Sequence, residues 1–235
     1  MEDKRCGRGI VILAGGESQR FQSYAYDKCL SSLNDLPLLQ HTVDRIAEVA
    51  ADEVIVAARD RKQGEAIRNR TTGNFSIVFD YLNDFGPLSG ILAALERTSC
   101  YQCLIIGCDM PFINPEVVEF LFDIIASSGY DAVVPRWENG MLAPLHAVYR
   151  RESTLSAIKN AVVEGDRRLS NLLAQLDVYL LPVAKIREID PGLETFTNIN
   201  TPAELELHHN HDHDHDHAPD IQTQTYHRSR PVKSD

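Results

Sequence analysis

Short apolar runs alternate with segments of helical periodicity along the first half of the chain. Helices are predicted after Pro37, after Pro87 and after Asn114, where Pro115 at the first helical position follows a good N-cap residue. Buried strands are predicted at residues 9–13, 53–58, 76–79 and 102–107. Because buried strands that alternate with amphipathic helices are typical of α/β proteins, we expect a mostly parallel central sheet with helices on both faces.

The second half of the chain is less regular. Thr201, Pro202 and Glu204 fit a capping box at the start of a last helix. Strands are predicted at residues 131–135, 142–149 and 178–182, and helices at residues 153–163 and 167–176. We take residues 1–207 as one folded domain.

The composition changes sharply near residue 208. Six histidines interleaved with aspartate fall within residues 208–217, and a polar run continues to Asp235. Since this segment has almost no large aliphatic side chains with which to build a core, we predict that 208–235 is a disordered tail. Alternating imidazole and carboxylate groups suit Ni²⁺, Zn²⁺ or Cu²⁺, so binding of a transition metal and an inert solvated tail are both open.

The overall composition excludes several classes of protein. A chain that is 43% hydrophobic and 24% charged is globular rather than disordered throughout. With 23 Lys and Arg against 34 Asp and Glu, the net charge of −11 gives no general attraction for nucleic acid, so any phosphate site must be local. No apolar run approaches the roughly 20 residues of a membrane span, and the charged N-terminus lacks a signal-peptide core. We therefore expect a cytoplasmic protein with no membrane or nucleic-acid partner.

The chain has five cysteines, an odd number that does not suggest a disulfide framework. The short spacing of Cys100, Cys103 and Cys108 suggests a metal or redox site as one interpretation. However, no second pair completes a four-ligand set, and Cys103 and Cys108 lie along or beside a predicted buried strand. We expect them to be core or surface thiols.

The turn Leu13-Ala14-Gly15-Gly16 after the first strand is the first candidate for chemistry. Its glycines allow the backbone to approach a ligand closely and to point N–H groups at an anion, and Arg20 and Lys28 could add positive charge. The turn matches neither G-x-G-x-x-G nor the P-loop pattern, which disfavours a dinucleotide or Walker-type site. The structural alternative is a plain strand-to-helix turn with two solvated cations.

Three later segments also place polar groups where a ligand could bind. Asp109 directly follows the fourth strand, where a carboxylate can hold Mg²⁺ against phosphate oxygens or cap the next turn. The segment from Asp80 to Gly90 runs into a helix N-terminus, whose N–H groups favour anions. Asn198 and Asn200 fall on one face of an extended segment and could bind a ligand or bridge loops.

Taken in order, these motifs resemble the molybdenum cofactor guanylyltransferases, which attach GMP to molybdopterin. The resemblance covers about residues 9–207 and rests on Leu13-Ala14-Gly15-Gly16, Arg20, Asp27-Lys28, residues 37–41, Asp80, residues 86–90, Cys108-Asp109-Met110-Pro111, residues 165–168 and residues 198–202. It implies a nucleotidyltransferase fold of Rossmann-like topology that transfers GMP from GTP to the phosphate of molybdopterin and releases pyrophosphate. It also implies Mg²⁺ as cofactor and molybdoenzymes or other proteins of cofactor synthesis as partners.

The same resemblance implies roles for single residues. Leu13, Ala14, Gly15 and Gly16 would wrap the nucleotide. Lys28 would contact its phosphates, Asp80 would contact its nucleoside side, and Asp109 would bind Mg²⁺. Arg20, Lys28 and Asp109 would drive transfer by positioning and charge neutralisation, since the attacking phosphate is already an anion. Arg168, Asn198 and Asn200 would face the pterin substrate. His41 and His146 are then expected to be structural.

Three departures from the family pattern keep other functions open. Gln22 stands where a glycine usually follows the arginine, residues 21–26 are about two residues longer than usual, and Ala57 replaces an asparagine often found at the end of the second strand. The alternatives are a molybdenum cofactor cytidylyltransferase, a sugar-phosphate nucleotidyltransferase, and a metal-handling or regulatory protein on a degenerate transferase domain. The Leu13–Gly16 turn favours the guanylyl enzymes, because the cytidylyl enzymes tend to carry alanine before the last glycine.

Overall fold

The computed structural model describes residues 7–15, 27–82, 85–200 and 204. In these ranges the strands are β1 (Arg8–Leu13), β2 (Ser32–Leu33), β3 (Leu36–Pro37), β4 (Glu53–Ala58), β5 (Ser76–Phe79), β6 (Gln102–Gly107), β7 (Ala132–Arg136), β8 (His146–Arg150) and β9 (Val178–Pro182). The α-helices are α1 (Leu38–Ile46), α2 (Arg61–Arg70), α3 (Pro87–Arg97), α4 (Pro115–Ser127), α5 (Arg151–Glu164), α6 (Leu169–Leu173) and α7 (Val183–Ile186). Short 3₁₀ helices span Lys28–Leu30 and Glu194–Phe196.

Seven of these strands form one central sheet in the order β5-β4-β1-β6-β8-β7-β9. The pairs β4–β5, β1–β4, β1–β6 and β7–β9 are parallel, whereas β8 runs antiparallel to both of its neighbours. The strands β2 and β3 form a separate hairpin, whose turn residues Asn34 and Asp35 have positive φ. The prediction of an α/β fold with a mostly parallel sheet is confirmed.

The sheet is covered by helices on both faces. In β1, Ile10 and Ile12 pack in a core with α1, α2 and α4, while Val11 between them packs on the opposite face with α3, α5 and α6. Alternate side chains of a strand point to opposite faces, so a strand buried on both sides must be apolar throughout. This is why β1, β4 and β6, which lie inside the sheet, could be found from apolar runs alone.

The second-half predictions needed correction at their boundaries. The strand predicted at 142–149 begins only at His146, because Pro144 has no N–H to donate and Ala143 O closes a turn with His146 N at 3.1 Å. The helix predicted at 167–176 spans only Leu169–Leu173, since Arg168 is an extended N-cap residue. The strand at 131–135 is shifted by one residue, and the helix at 153–163 is α5, which is three residues longer.

The helix α2 was not predicted at all. Nearly all of its sequence is polar, and Ile67 is its one large buried apolar side chain. Its start is fixed instead by Asp60, whose Oδ1 accepts a hydrogen bond from Gln63 N at 2.8 Å. An apolar stripe was therefore the wrong signal for this element.

Several predictions lie outside the described residues. These are Gly16, Arg20, the longer loop at 21–26, Thr201 of the proposed capping box and the tail 208–235 with its metal-binding role; they stay predictions. Among the helices of the described ranges, none has the length and apolar character needed to cross a bilayer.

Candidate active site

The carboxyl ends of β1, β4, β5 and β6 lie along one edge of the sheet, as their parallel pairing requires. Backbone hydrogen bonds hold the residues that follow these strands: Ala14 N donates to Ala57 O at 2.8 Å, and Asp80 N donates to Ala58 O at 2.9 Å. Cys108 N donates to Leu13 O at 3.1 Å. This edge is where parallel α/β sheets bind ligands, and three of the sequence candidates open onto it.

Lys28 joins two of the predicted site residues that are far apart in sequence. Its Nζ lies 2.5 Å from Asp109 Oδ2 and donates to Asn200 Oδ1 at 2.8 Å. The Lys28 and Asp109 side chains are only 14% and 23% exposed, so water screens their ion pair less than it screens a pair on the surface. We call Lys28, Asp109 and Asn200 the Lys28 cluster. The residues predicted to contact the phosphates, Mg²⁺ and the pterin are therefore in direct contact with one another.

Backbone contacts place the carboxylate and the amide of this cluster. A Cβ on Gly107 would lie 2.3 Å from Asp109 Oδ1, so the absent side chain leaves room for the carboxylate. Ile199 is fully buried and donates from its N to Asp109 O at 2.9 Å. Asn198 and Asn200, on either side of buried Ile199, are exposed and half-buried respectively. Asn200 N donates to Glu204 Oε2 at 2.5 Å.

Asp80 lies between Gly15, in the turn after β1, and Gly90, in the helix α3. A Cβ on Gly15 would stand 2.8 Å from Asp80 Oδ2, and a Cβ on Gly90 would stand 3.1 Å from Asp80 Oδ1. Oδ1 is buried and has no hydrogen-bond partner among the described residues. Burial raises the pKa of Asp80 to about 6, and the nearby charge of Arg59 opposes that rise. A buried acceptor without a donor in the protein is suited to a ligand that supplies one.

Two residues next to this edge were missed from the sequence. Arg59 follows β4, and its guanidinium lies 3.5 Å from Asp27 Oδ2. Gln63 in α2 is 2% exposed and donates from Nε2 to Ala14 O at 2.9 Å and to Asp27 Oδ1 at 2.8 Å. The signal that could have found Gln63 is the spacing of Asp60 and Gln63, which resembles a capping box.

Arg168 is not part of the Lys28 cluster. Its guanidinium pairs with Asp166 at 3.1 Å and is 71% exposed. The hydrogen bond from Arg168, with a second from Asn171, holds the pKa of Asp166 well below its usual range. The neighbouring Arg167 lies over the ring of Phe85 at 5.7 Å, so the loop before α6 lies beside the segment that leads into α3. A contact between Arg168 and the pterin substrate stays a prediction.

The two histidines of the folded region are placed as structural residues. His41 Nε2 lies 2.7 Å from Leu33 O, and His146 is 1% exposed with Nε2 3.3 Å from Thr195 Oγ1. Burial lowers the pKa of His146 to about 3, so it stays neutral at physiological pH.

The cysteines follow their prediction only in part. Cys103 and Cys108 are free and buried, and burial raises the pKa of the Cys103 thiol to about 12. Cys100 is also buried but is disulfide-bonded, so the expectation of a thiol was wrong for this residue. In the part of the chain that the structure describes, no three His, Cys, Asp or Glu side chains form a metal-ligating group.

Comparisons with known proteins agree with this geometry. Residues 10–179 match the family described as MobA-like NTP transferase domain. A probable molybdenum cofactor guanylyltransferase of Methanosarcina mazei is 38% identical over 209 residues, covering 87% of this chain and 91% of that protein. One from Methanosarcina acetivorans is 36% identical over 199 residues, covering 83% and 86%. The crystal structure of molybdopterin-guanine dinucleotide biosynthesis protein A from Archaeoglobus fulgidus superposes with a TM-score of 0.71 at 27% identity, covering 87% of this chain and 98% of that one.

The fold and these relatives define the class of protein: the chain is a nucleotidyltransferase with a MobA-like NTP transferase domain. Within that class, the chain belongs to the molybdenum cofactor guanylyltransferase family. The resemblance found in the sequence is thus confirmed at the level of family, fold and enzyme class.

Proposed function

We propose that this enzyme transfers GMP from GTP to the terminal phosphate of molybdopterin and releases pyrophosphate. The observation that supports this most strongly is the Lys28 cluster, in which one ammonium group contacts both Asp109 and Asn200. Asp109 follows the end of β6 and lies beside the turn after β1, which is proposed to bind the nucleotide. Asn200 lies on the segment proposed to face the pterin. These contacts support a role for Lys28 between the two substrates where they would react.

The nucleotide would lie over the carboxyl ends of β1, β4 and β5. The turn after β1 has Gly15, and a ligand can approach its backbone closely because no side chain intervenes. Asp80 would receive donors from the nucleoside. Among the bases, guanine presents two adjacent N–H donors on its pairing edge, which match the two oxygens of one carboxylate. Asp80 Oδ1, which has no hydrogen-bond partner in the part of the chain that the structure describes, supports a guanine nucleotide on this argument.

The transfer itself needs little from protein acids and bases. The attacking phosphate of molybdopterin is already an anion, so the enzyme must bring two negatively charged groups together in line and offset their repulsion. Lys28 would supply positive charge next to the reacting phosphate, and Asn198 and Asn200 would orient the acceptor. The neutral, buried His146 is not available as a base in this arrangement.

The residues at the edge of the sheet also fit Mg²⁺. Asp109 offers hard oxygen donors, and one carboxylate together with substrate phosphates and water is the usual way in which Mg²⁺ is held. Lys28 engages Oδ2, while Oδ1 lies over Gly107. Asp109 would hold the ion, which when bound would neutralise charge on the phosphates.

We predict that the protein binds GTP at least about 10-fold more tightly than CTP or ATP, since a mismatched base leaves a buried polar group unpaired at a cost of about 1–3 kcal/mol. Calorimetric titration with each nucleotide in Mg²⁺ measures this difference. Pyrophosphate release with molybdopterin as acceptor then tests the transfer. Equal or tighter binding of CTP would contradict the guanine assignment and favour the cytidylyl alternative.

We predict that GTP affinity falls as the pH drops below about 6. The raised pKa of Asp80 means that the free protein carries a proton there at low pH, and a protonated carboxyl cannot accept both base donors. Between pH 7 and pH 5 the affinity should fall about 10-fold more in the wild type than in Asp80→Asn. The variant is the reference because the terminal phosphate of GTP also takes up a proton in this range. If the affinities of the wild type and of Asp80→Asn change with pH in the same way, Asp80 does not contact the bound nucleotide.

A further inference from the structure

Gln63 is a buried amide at the edge of the candidate active site, and its nitrogen and its oxygen are both hydrogen-bonded. Its Nε2 donates to Ala14 O at 2.9 Å and to Asp27 Oδ1 at 2.8 Å, and its Oε1 accepts from Arg59 N at 2.6 Å. The amide therefore contacts three chain segments, which follow β1, precede Lys28 and follow β4. With both N–H groups and the oxygen engaged, neither its rotamer nor its amide orientation is free to change.

The contact with Asp27 bears directly on Lys28. Asp27 is the N-cap residue of the 3₁₀ helix Lys28–Leu30, yet its side chain makes no capping hydrogen bond there. It is held by Gln63 and lies 3.5 Å from the Arg59 guanidinium. Its backbone O accepts from Leu30 N at 2.9 Å, which closes the turn that presents Lys28. The position of Lys28 therefore depends on how the Asp27 carboxylate is held.

A primary amide suits this position. Ala14 O and Asp27 Oδ1 are both acceptors that converge on one point, so only a group with two N–H donors can satisfy both. A carboxylic side chain of the same shape would place a negative charge against the Asp27 carboxylate and leave Ala14 O without its donor.

We propose that Gln63 is a positioning residue for nucleotidyl transfer. Through its hydrogen bonds to Ala14 and Asp27, it fixes the position of Lys28 relative to the turn after β1. The expected effect on kcat rests on the proposed function, whereas the expected effect on the turn around Lys28 rests on the geometry alone. The competing role is a plain helix cap, because Gln63 lies three residues after the N-cap Asp60 and bonds back toward the start of α2.

The substitution Gln63→Glu separates the two roles. Glutamate keeps an oxygen for Arg59 N and is a favoured residue at this capping position, so a plain cap predicts little change. A positioning role predicts that kcat falls about 10- to 100-fold, because small displacements of catalytic groups cost that much. In the double variant Gln63→Glu with Asp27→Asn, the new amide at position 27 can donate to the new carboxylate at position 63, which restores one hydrogen bond with donor and acceptor exchanged. The double variant should therefore recover about 10-fold of the lost kcat.

The matched control is Asp60→Ala, which removes the cap from the same helix and leaves the two donors of Gln63 in place. It should lower the thermal stability and retain kcat. The readout that is independent of transfer is amide hydrogen exchange at Leu30 and Ser31, whose N–H groups close the turn around Lys28. Exchange there should speed up in Gln63→Glu while the helical amides of α2 stay protected.

The outcomes are distinguishable. If the wild type shows no GMP transfer, the proposed function fails, and the exchange rates at Leu30 and Ser31 alone decide on Gln63. If Gln63→Glu matches the wild type in kcat and in exchange, the inference is overturned. It is also overturned if Asp60→Ala lowers kcat as much as Gln63→Glu does, since Gln63 then acts only through helix stability.

Discussion

Asp109→Ala is expected to lower the rate of nucleotidyl transfer by about 10³-fold while leaving the fold intact. The substitution removes the carboxylate that holds Lys28 Nζ at 2.5 Å and that is proposed to hold Mg²⁺, so the site loses the position of the ammonium group and the charge of the ion. The free energy of unfolding should fall by only about 1 kcal/mol, because Lys28 keeps its hydrogen bond to Asn200. Pyrophosphate release and circular dichroism measure the two effects.

The matched control for this prediction is Asp123→Ala. Asp123 is also an ion-paired aspartate, held by Arg8 at 3.0 Å, but it lies on α4 and is 72% exposed. Its removal should leave transfer unchanged. A second variant, Asp109→Asn, keeps the size and one acceptor and should still lose transfer. Near-normal turnover in Asp109→Ala would show that Asp109 only caps the turn after β6.

Asp80→Asn is expected to weaken GTP binding by about 100-fold and to stabilise the protein. Binding weakens because the amide replaces one acceptor with a donor, which faces the donors of guanine. Stability increases because the wild-type carboxylate is partly buried and one of its oxygens lacks a partner among the described residues. We expect the free energy of unfolding at pH 8 to rise by about 1 kcal/mol, a value reduced for the water that still reaches the group.

The pH dependence gives the sign of this effect. Burial raises the pKa of Asp80 in the folded protein to about 6, above its ordinary value of 3.8. Ionised Asp80 therefore weakens the fold above about pH 6, and this penalty fades as the pH falls toward 4. The gain from Asp80→Asn should be largest at pH 7–8 and vanish near pH 4 in thermal unfolding experiments.

Asp60→Asn is the contrasting control for Asp80→Asn. The hydrogen bond from Gln63 N holds the pKa of Asp60 below its ordinary value, so this carboxylate stabilises the fold when ionised. Its replacement should give no gain in stability at any pH. A gain in both variants would show that net charge, and not the burial of Asp80, is the cause.

The amino-acid sequence by itself determined much of the sheet architecture and the family. The strands β4, β5, β6 and β9 begin and end where the apolar runs predicted, because short runs of mostly apolar residues favour strands inside the sheet, as for β4 and β6, and at its edges, as for β5 and β9. Lys28, Asp109 and Asn200 were identified from short motifs in a fixed order. Their types indicate chemistry directly, since an ammonium group attracts a phosphate, a carboxylate can hold Mg²⁺ beside one, and an amide can orient a polar ligand by hydrogen bonds.

The tertiary structure decided which of these groups meet and what holds them. Lys28 and Asn200 are 172 residues apart, and their contact depends on the packing of Ile199 beside Asp109. The antiparallel direction of β8 has no signal in the local sequence either, because the direction of a strand is set by the path of the chain through the whole sheet. The polar helix α2 and its Gln63 escaped prediction because hydrogen bonds to two distant segments and to the adjacent Arg59 N, and not an apolar stripe, fix their place. Periodicity reports burial of apolar surface, whereas a buried polar contact becomes visible only when both partners are in place.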